Sequence, residues 1–337
     1  MKYNIAIVGG TGNVGREILS ILSERKFPIN KIHLLASEHS FGKKISFEKQ
    51  DVTVELLNNF DFKNIDIAFF AAGSEISKQF SEKAIKAGAY IIDSSSFFRT
   101  RNDVPLIIPE VNPDHIEMAR KSKIIAKPNC STTQMLVPLK PLHDQYKIKR
   151  IVVSTYQAVS GKGKAAMDEL YHQTKKMFEV SSVPPKEFTK QIAFNCIPHI
   201  DVFMENGYTK EEWKMIYETK KILDPEIEVS ATCVRVAVFN SHSESVNVEF
   251  EKPFEMEDVI DILSEAESVE LLDRPFDNMY ATPAECNQTD SVFVSRLRRD
   301  NSVKNGLDMW IVADNLRKGA ALNAVQIAEL MIERKLI

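Results

Sequence analysis

Residues Gly10-Thr11-Gly12-Asn13-Val14-Gly15 match G-x-G-x-x-G, the spacing that lets a pyrophosphate approach a backbone turn at a helix N-terminus. A plain glycine-rich turn is the competing reading. Cys130 follows an apolar run and stands at the expected start of a helix opening Ser131-Thr132-Thr133. Unpaired amides and the helix macrodipole there favour thiolate over thiol, which suits a nucleophile for acyl transfer. A lone cysteine is otherwise a small buried hydrophobe, the reading kept for Cys196, Cys233 and Cys286. Strand alternation sets Arg235 with Ala231, Cys233 and Ala237, opposite Thr232, Val234, Val236 and Val238. A guanidinium on a face of small side chains can grip a carboxylate through two hydrogen bonds, or make an interface ion pair. His242 lies past the end of that run, where it can serve acid–base chemistry or remain an exposed histidine.

The residues after the second apolar run choose between dinucleotides, since a carboxylate there accepts the ribose 2′-OH and small polar or basic groups accommodate a 2′-phosphate. Here they read Ala36-Ser37-Glu38-His39-Ser40. The serines and histidine favour the phosphate and Glu38 opposes it, so residue types alone leave both cofactors open.

The elements that must position these residues follow from periodicity. Strands are expected at Asn4–Val8, Ile32–Ala36, Ile65–Ala71, Tyr90–Ile92 and Ile124–Ala126, with helices from Val14 and over Ile76–Ala87. That alternation predicts an α/β, doubly wound parallel sheet. From Ile148 the runs lengthen and become β-branched (Ile151–Tyr156, Val229–Phe239, Ser245–Phe250), around a helix at Lys164–Phe178. This predicts a second, α+β domain with an antiparallel sheet. Ser181–Gln191 reads as a surface loop and Asn323–Lys335 as an amphipathic closing helix.

Composition narrows the partners. The 337 residues carry a net charge of −4 and no basic stripe, which argues against nucleic acid. No apolar run approaches a membrane span, and no export signal opens the chain, so a cytoplasmic location is expected. The four cysteines and seven histidines lack metal-ligand spacing, so no metal is expected.

Taken together, Gly9–Gly15, Ser94-Ser95-Ser96-Phe97-Phe98-Arg99, Pro128-Asn129-Cys130-Ser131-Thr132, Ser154–Gly161, Cys233–Ser245 and Asp314–Ala321 resemble the aspartate-β-semialdehyde dehydrogenase family over essentially the whole chain. The resemblance implies a Rossmann-type NADP domain of residues 1–128 and 314–337, joined by its returning C-terminal helix, and a mixed α+β catalytic and dimerisation domain of residues 129–313. It implies the reversible conversion of L-aspartate 4-semialdehyde, phosphate and NADP to 4-aspartyl phosphate and NADPH, feeding lysine, methionine and threonine synthesis. It assigns Cys130 as acyl-accepting nucleophile, His242 as general acid/base and Gln157 as the residue orienting substrate beside them. Arg235 would hold the α-carboxylate and Glu218 the ammonium, with Arg99, Asn129 and Lys221 at the phosphoryl group. The cofactor would meet Thr11, Gly12, Asn13, Val14, Ser37, His39, Ser40, Ser160, Gly161 and Asn315. Family members often carry arginine at the position of His39 and a small residue at that of Glu38, which keeps NAD as a weaker alternative. A homodimer or homotetramer is implied. The rivals are N-acetyl-γ-glutamyl-phosphate reductase, whose acetylated amine offers no charge for Glu218, and a non-catalytic nucleotide-binding redox sensor.

Overall fold

Short apolar runs and amphipathic stretches alternate along the first third of the chain, and each becomes the element its period dictates. The computed structural model describes residues 1–179, 181 and 183–337. It divides into two units, Met1–Pro128 with Ala320–Ile337, and Asn129–Gly319.

The first unit runs β1 (Tyr3–Val8), α1 (Asn13–Glu24), β2 (Ile29–Ala36), β3 (Lys44–Phe47), β4 (Gln50–Leu56), β5 (Ile67–Phe70), α2 (Ser74–Lys86), β6 (Tyr90–Asp93), α3 (Ala119–Ser122) and β7 (Ile124–Ala126). Its sheet has the order β3-β4-β2-β1-β5-β6-β7. All pairs are parallel except the β3–β4 hairpin. Strand order reverses at β1, between β2 and β5, and in such sheets ligands bind beyond the carboxyl ends of the strands at that point. Ile5–Val8 of β1 are fully buried, as expected of a strand covered on both faces. α1 buries Ile18, Leu19, Ile21 and Leu22 on one stripe, each contributing about 1.5–3 kcal/mol by leaving water. The β3–β4 hairpin was not expected, because Lys44-Ile45-Ser46-Phe47 is short and half polar; burial of Ile45 and Phe47 shows the alternation that places it.

The second unit runs α4 (Cys130–Tyr146), β8 (Ile148–Gln157), α5 (Lys164–Phe178), β9 (Cys196–Ile197), α6 (Lys210–Ile222), β10 (Glu228–Val236), β11 (His242–Phe250), α7 (Met256–Glu265), β12 (Val269–Leu271), β13 (Asp273–Arg274), β14 (Met279–Tyr280), β15 (Val292–Asp300) and β16 (Gly306–Ala313). Its large sheet has the order β12-β15-β16-β11-β8-β10-β9. The expected antiparallel sheet is in fact mixed: β10 pairs with β8, and β12 with β15, in parallel. The reason is connectivity, since α5 and α6 lie between β8 and β10 in sequence and make a crossover, which returns a strand parallel to its predecessor. Of the stretch read as a loop, Ser182 lies outside the described residues, and residues 183–191 form neither helix nor strand.

The chain returns to the first unit with α8 (Leu322–Glu333), which shares a core with α1 through residues including Leu322, Val325 and Ile18. The return begins at Ala320, six residues later than position 314. Side chains explain the shift. Asp314 Oδ2 accepts hydrogen bonds from Asn240 Nδ2 at 2.9 Å and Gln288 N at 2.8 Å, and Arg317 Nε donates to Asp290 Oδ1 at 2.7 Å, all within the second unit.

Candidate functional site

In the first unit the glycine loop follows β1 and opens α1 at Gly12, which lacks a side-chain cap. A Cβ at Gly15 would stand 2.2 Å from the Gly9 carbonyl oxygen, and Gly9 has φ +87° with its own Cβ position 2.7 Å from Ala71 O. Only glycine permits this turn, so the loop fits a bound pyrophosphate. Thr11 Oγ1 donates to Ser40 Oγ at 3.4 Å, tying the loop to the segment after β2. Ser37, Glu38 and His39 are exposed there. Lys43 Nζ also donates to Ser40 Oγ, at 3.5 Å, a cation that motif reading missed because it lies beyond the usual selector position. Arg99 is buried in the same unit, its Nε donating to Ser95 O at 3.0 Å and Nη2 to Ser94 O at 3.1 Å.

In the second unit Cys130 is the first residue of α4. Asn129 caps that helix, its side-chain oxygen accepting from Ser131 N at 2.9 Å and Thr132 N at 3.4 Å. Glu218 reaches the same corner from α6, Oε2 accepting from Asn129 N at 2.6 Å. Ala158, just past β8, ties two functional side chains through its own backbone: its N–H donates to His242 Nδ1 at 3.0 Å and its carbonyl accepts from Arg235 Nη1 at 2.6 Å. A Cβ at Gly161 would lie 3.2 Å from Arg235 Nη1 and 3.3 Å from His242 Nε2, so both groups converge on that glycine. His242 therefore does not sit in a loop: it is the first residue of β11, fully buried. Burial, with Arg235 nearby, drives its pKa down to about 3. The ring is neutral, and with Nδ1 accepting from Ala158 its proton resides on Nε2.

A buried carboxylate that motif reading passed over organises the rest. Glu211 Oε1 accepts from Asn129 Nδ2 at 2.8 Å and Gln157 Nε2 at 3.1 Å, while Oε2 pairs with Lys214 Nζ at 3.0 Å. Lys214 also pairs with Asp201 at 2.7 Å. Burial alone would raise Glu211, but Lys214, Asn129 and Gln157 override it and hold the pKa at about 2. The carboxylate beside the Asn129 cap of α4 and beside Gln157 is thus Glu211, whereas Glu218 touches the backbone of Asn129 and Lys221 lies half-buried in the last turn of α6. The available signal was the capping box Thr209…Glu212, which fixes the start of α6 and turns Glu211 inward with Lys214 three residues on.

Ser160 and Asn315 bond to each other, Asn315 Nδ2 donating to Ser160 Oγ at 2.9 Å, and Asn315 Oδ1 accepts from Ser241 N at 2.9 Å. A cleft of about 320 Å³ opens at Arg235, lined also by Lys162, Phe188, Ile197 and His199. A larger groove, about 920 Å³, lies along Lys26–His33 and Gln50–Glu55 and includes none of the residues above.

Residues 4–119 match the family model of the semialdehyde dehydrogenase NAD binding domain, and residues 139–318 that of the semialdehyde dehydrogenase dimerisation domain. The aspartate-semialdehyde dehydrogenase of Aquifex aeolicus is 52% identical, with 100% of both chains covered. The chain belongs to the aspartate-semialdehyde dehydrogenase family. A crystal structure of aspartate semialdehyde dehydrogenase II from Vibrio cholerae, complexed with ASA, superposes with a TM-score of 0.97 at 48% identity over 99% of each chain. The Candida albicans enzyme with NADP aligns over 100% of each chain at 25% identity and a TM-score of 0.76. The expected α/β Rossmann-type domain and separate second domain accord with these family members. Among the described residues no helix is long and apolar enough to cross a membrane, and no group of metal-ligating side chains occurs.

In this family setting Gly319 gains a specific consequence. Its Cβ position is 2.8 Å from Cys130 Cβ. Gly319→Ala is expected to displace the Cys130 side chain, and a drop in kcat of about 10²-fold is the effect to look for if that thiol takes part in the reaction. Steady-state kinetics of the variant, beside an unchanged circular-dichroism spectrum, is the check.

Proposed function

We propose that the chain catalyses the reversible conversion of L-aspartate 4-semialdehyde, phosphate and NADP to 4-aspartyl phosphate and NADPH, through a thioester on Cys130. The observation that carries this reading is the convergence on the α4 N-terminus of a capped cysteine, an ionised Glu211, Gln157 and the Ala158-linked pair His242 and Arg235. In the reductive direction the Cys130 thiolate attacks the acyl carbon, the C–S bond forms, and the C–O bond to phosphate breaks. Phosphate takes up the proton that the overall reaction consumes. When bound at the glycine loop, the dinucleotide supplies a hydride in this direction and accepts one in the other. His242, with its proton on Nε2, donates a hydrogen bond to the carbonyl oxygen as negative charge develops there, then releases it as the C–S bond breaks and thiolate returns. Gln157 holds the acyl group, Arg235 grips the α-carboxylate bidentately, and Glu211 takes the ammonium. An absorbance rise at 340 nm that requires semialdehyde, phosphate and NADP together is the expected result. Its absence with purified protein refutes the reading.

NADP is the preferred cofactor on this reading, held by Thr11–Val14 at the pyrophosphate and by Ser37, His39 and Ser40 at the 2′-phosphate, with Lys43 in place of the arginine common in the family. Lys43→Ala is expected to lower the ratio of kcat/KM for NADP over NAD by about five- to tenfold, one charge-assisted contact's worth. An unchanged ratio means that Lys43 does not face the phosphate. The enzyme acts as a homodimer through the second unit, in the cytoplasm. The dimerisation-domain match supports the assembly, as does the outer sheet face, where Tyr156 is 38% exposed and its ring lies 5.4 Å from that of Trp310.

A further inference from the structure

One carboxyl group in the second unit has no part in the chemistry above. Glu244 is fully buried on β11, two residues past His242 and so on the same sheet face. Its register partners are Thr155 on β8 and Ile311 on β16, and Thr155 in turn faces Cys233 on β10. This row lies one step behind Arg235, Gln157 and His242, which occupy the next inward-facing positions of the same three strands. Neither oxygen of Glu244 has a partner in good hydrogen-bond geometry, and the Ser131 hydroxyl is the group near enough to act on it. Other buried polar atoms in the second unit also lack partners: Ser131 Oγ, Thr132 Oγ1 and Gln134 Oε1 on α4, Thr219 Oγ1 on α6, and Ser241 Oγ, His242 Nε2 and Ser243 Oγ at the start of β11; Ser131 and Gln134 matter here. They belong to α4 at positions three apart, on one side of the helix, and Ser131 directly follows Cys130. Gln134 Nε2 meanwhile donates to the His242 carbonyl at 3.3 Å, so this side of α4 lies against the start of β11.

Among the described residues, burial and the Ser131 hydroxyl are the influences on Glu244, and no cation is one of them. On its own strand stands His242, neutral as argued above; β10 contributes the Cys233 thiol, α4 the neighbourhood of Cys130, and β8 and β16 only Thr155 and Ile311. Glu211 and Glu212 of α6 share with Glu244 the surroundings of Cys233, and they add negative charge. Burial pushes the Glu244 carboxyl well above the ordinary carboxylate range, and the Ser131 hydroxyl acts against that rise.

We propose that Glu244 is a positioning residue that works as a neutral carboxylic acid, linking the first turn of α4 through Ser131 and Gln134 to the strand that carries His242. A protonated carboxyl offers one O–H donor and one carbonyl acceptor, which matches an orphaned acceptor on Gln134 and a hydroxyl donor on Ser131. An ionised carboxylate would only accept. It would leave Gln134 Oε1 unmatched and set another negative charge near the Cys130 thiolate, disfavouring that thiolate. The glutamate side chain therefore braces the thiol-bearing helix against the imidazole-bearing strand without adding charge to the site.

The proposal rests on Cys130 and His242 being the reacting pair, and its test separates the two claims. The rate of Cys130 alkylation by iodoacetamide is followed against pH by mass spectrometry for the wild type, Glu244→Ala and Glu244→Gln, alongside kcat for semialdehyde oxidation. Glu244→Ala is expected to shift the alkylation midpoint upward and lower kcat tenfold or more, with KM for NADP unchanged. Glu244→Gln, neutral and able both to donate and to accept, is expected to restore the midpoint and bring kcat within about threefold of wild type. The proposal is overturned if Glu244→Ala matches wild type in both readouts. It is equally overturned if Glu244→Gln, with a wild-type thermal melt, loses as much as alanine, since an ionised carboxylate would then be required. Should alanine fail to fold, the glutamine variant alone decides. Should the wild type turn over no semialdehyde, the reaction assignment falls while the alkylation profiles still test the brace.

Discussion

Replacing Cys130 by serine is expected to reduce semialdehyde turnover by about 10³-fold or more while leaving NADP affinity unchanged. The thiol stands at the first position of α4, where the helix field favours its ionised form. A serine hydroxyl in the same place stays protonated at neutral pH and has no free base to activate it. His242, with Nδ1 accepting from Ala158 N–H and its proton on Nε2, is set to donate a hydrogen bond rather than to take up that proton. The measurement is kcat beside a fluorescence titration of NADPH binding to the same preparation. Activity within tenfold of wild type would rule out the thioester route, and loss of cofactor binding together with activity would mean that the substitution had disturbed more than the nucleophile.

The parts of this site legible in the sequence are those whose chemistry is local. The glycine loop is read from spacing because its constraint is steric and confined to one turn: Gly15 must lack a Cβ since Gly9 O lies against it. Cys130 is read from position, because a helix start follows directly from the apolar strand before it. Arg235 is read from strand alternation, and it is buried beside Cys233 on the inward face as that pattern requires. Glu211 was not legible in the same way. On α6 it is one of several acidic residues, and a helical period alone sets Glu211 and Glu218 two turns apart on one face. What distinguishes them is distant in sequence: Asn129, eighty-two residues away, offers its side-chain amide to Glu211 and its backbone to Glu218. His242 was misplaced for a related reason, since the run Ser241-His242-Ser243 is polar and looks like a loop, yet pairing with Ala313 on β16 makes it strand. In each case, long-range pairing outweighed local polarity.

The largest effect expected outside the nucleophile follows from that distinction. Glu211→Gln removes one negative charge but keeps an amide oxygen for Asn129 Nδ2, and Asp201 still pairs with Lys214 at 2.7 Å, so the fold of α6 is expected to survive. On the proposed assignment, what is lost is the ionised group that takes the substrate ammonium. With that partner gone, a desolvated ammonium would enter the site unpaired, a penalty of about 3 kcal/mol or more for a buried charge. The expected result is a fall in kcat/KM for the semialdehyde of about 10²-fold or more, carried mainly by KM, with the KM for NADP unmoved. Lys221→Ala is expected to raise the KM for phosphate with a smaller effect on the semialdehyde, because Lys214 is already paired with Glu211 and Asp201 and Lys221 stands in the last turn of the same helix. Glu218→Gln provides the contrast. Its carboxylate accepts the Asn129 N–H at 2.6 Å, so an amide oxygen can replace it, and a change in kcat with little change in semialdehyde KM is expected. If instead Glu218→Gln raises that KM and Glu211→Gln leaves it unchanged, the ammonium partner is Glu218 and Glu211 serves only to hold Asn129 and Gln157 in place.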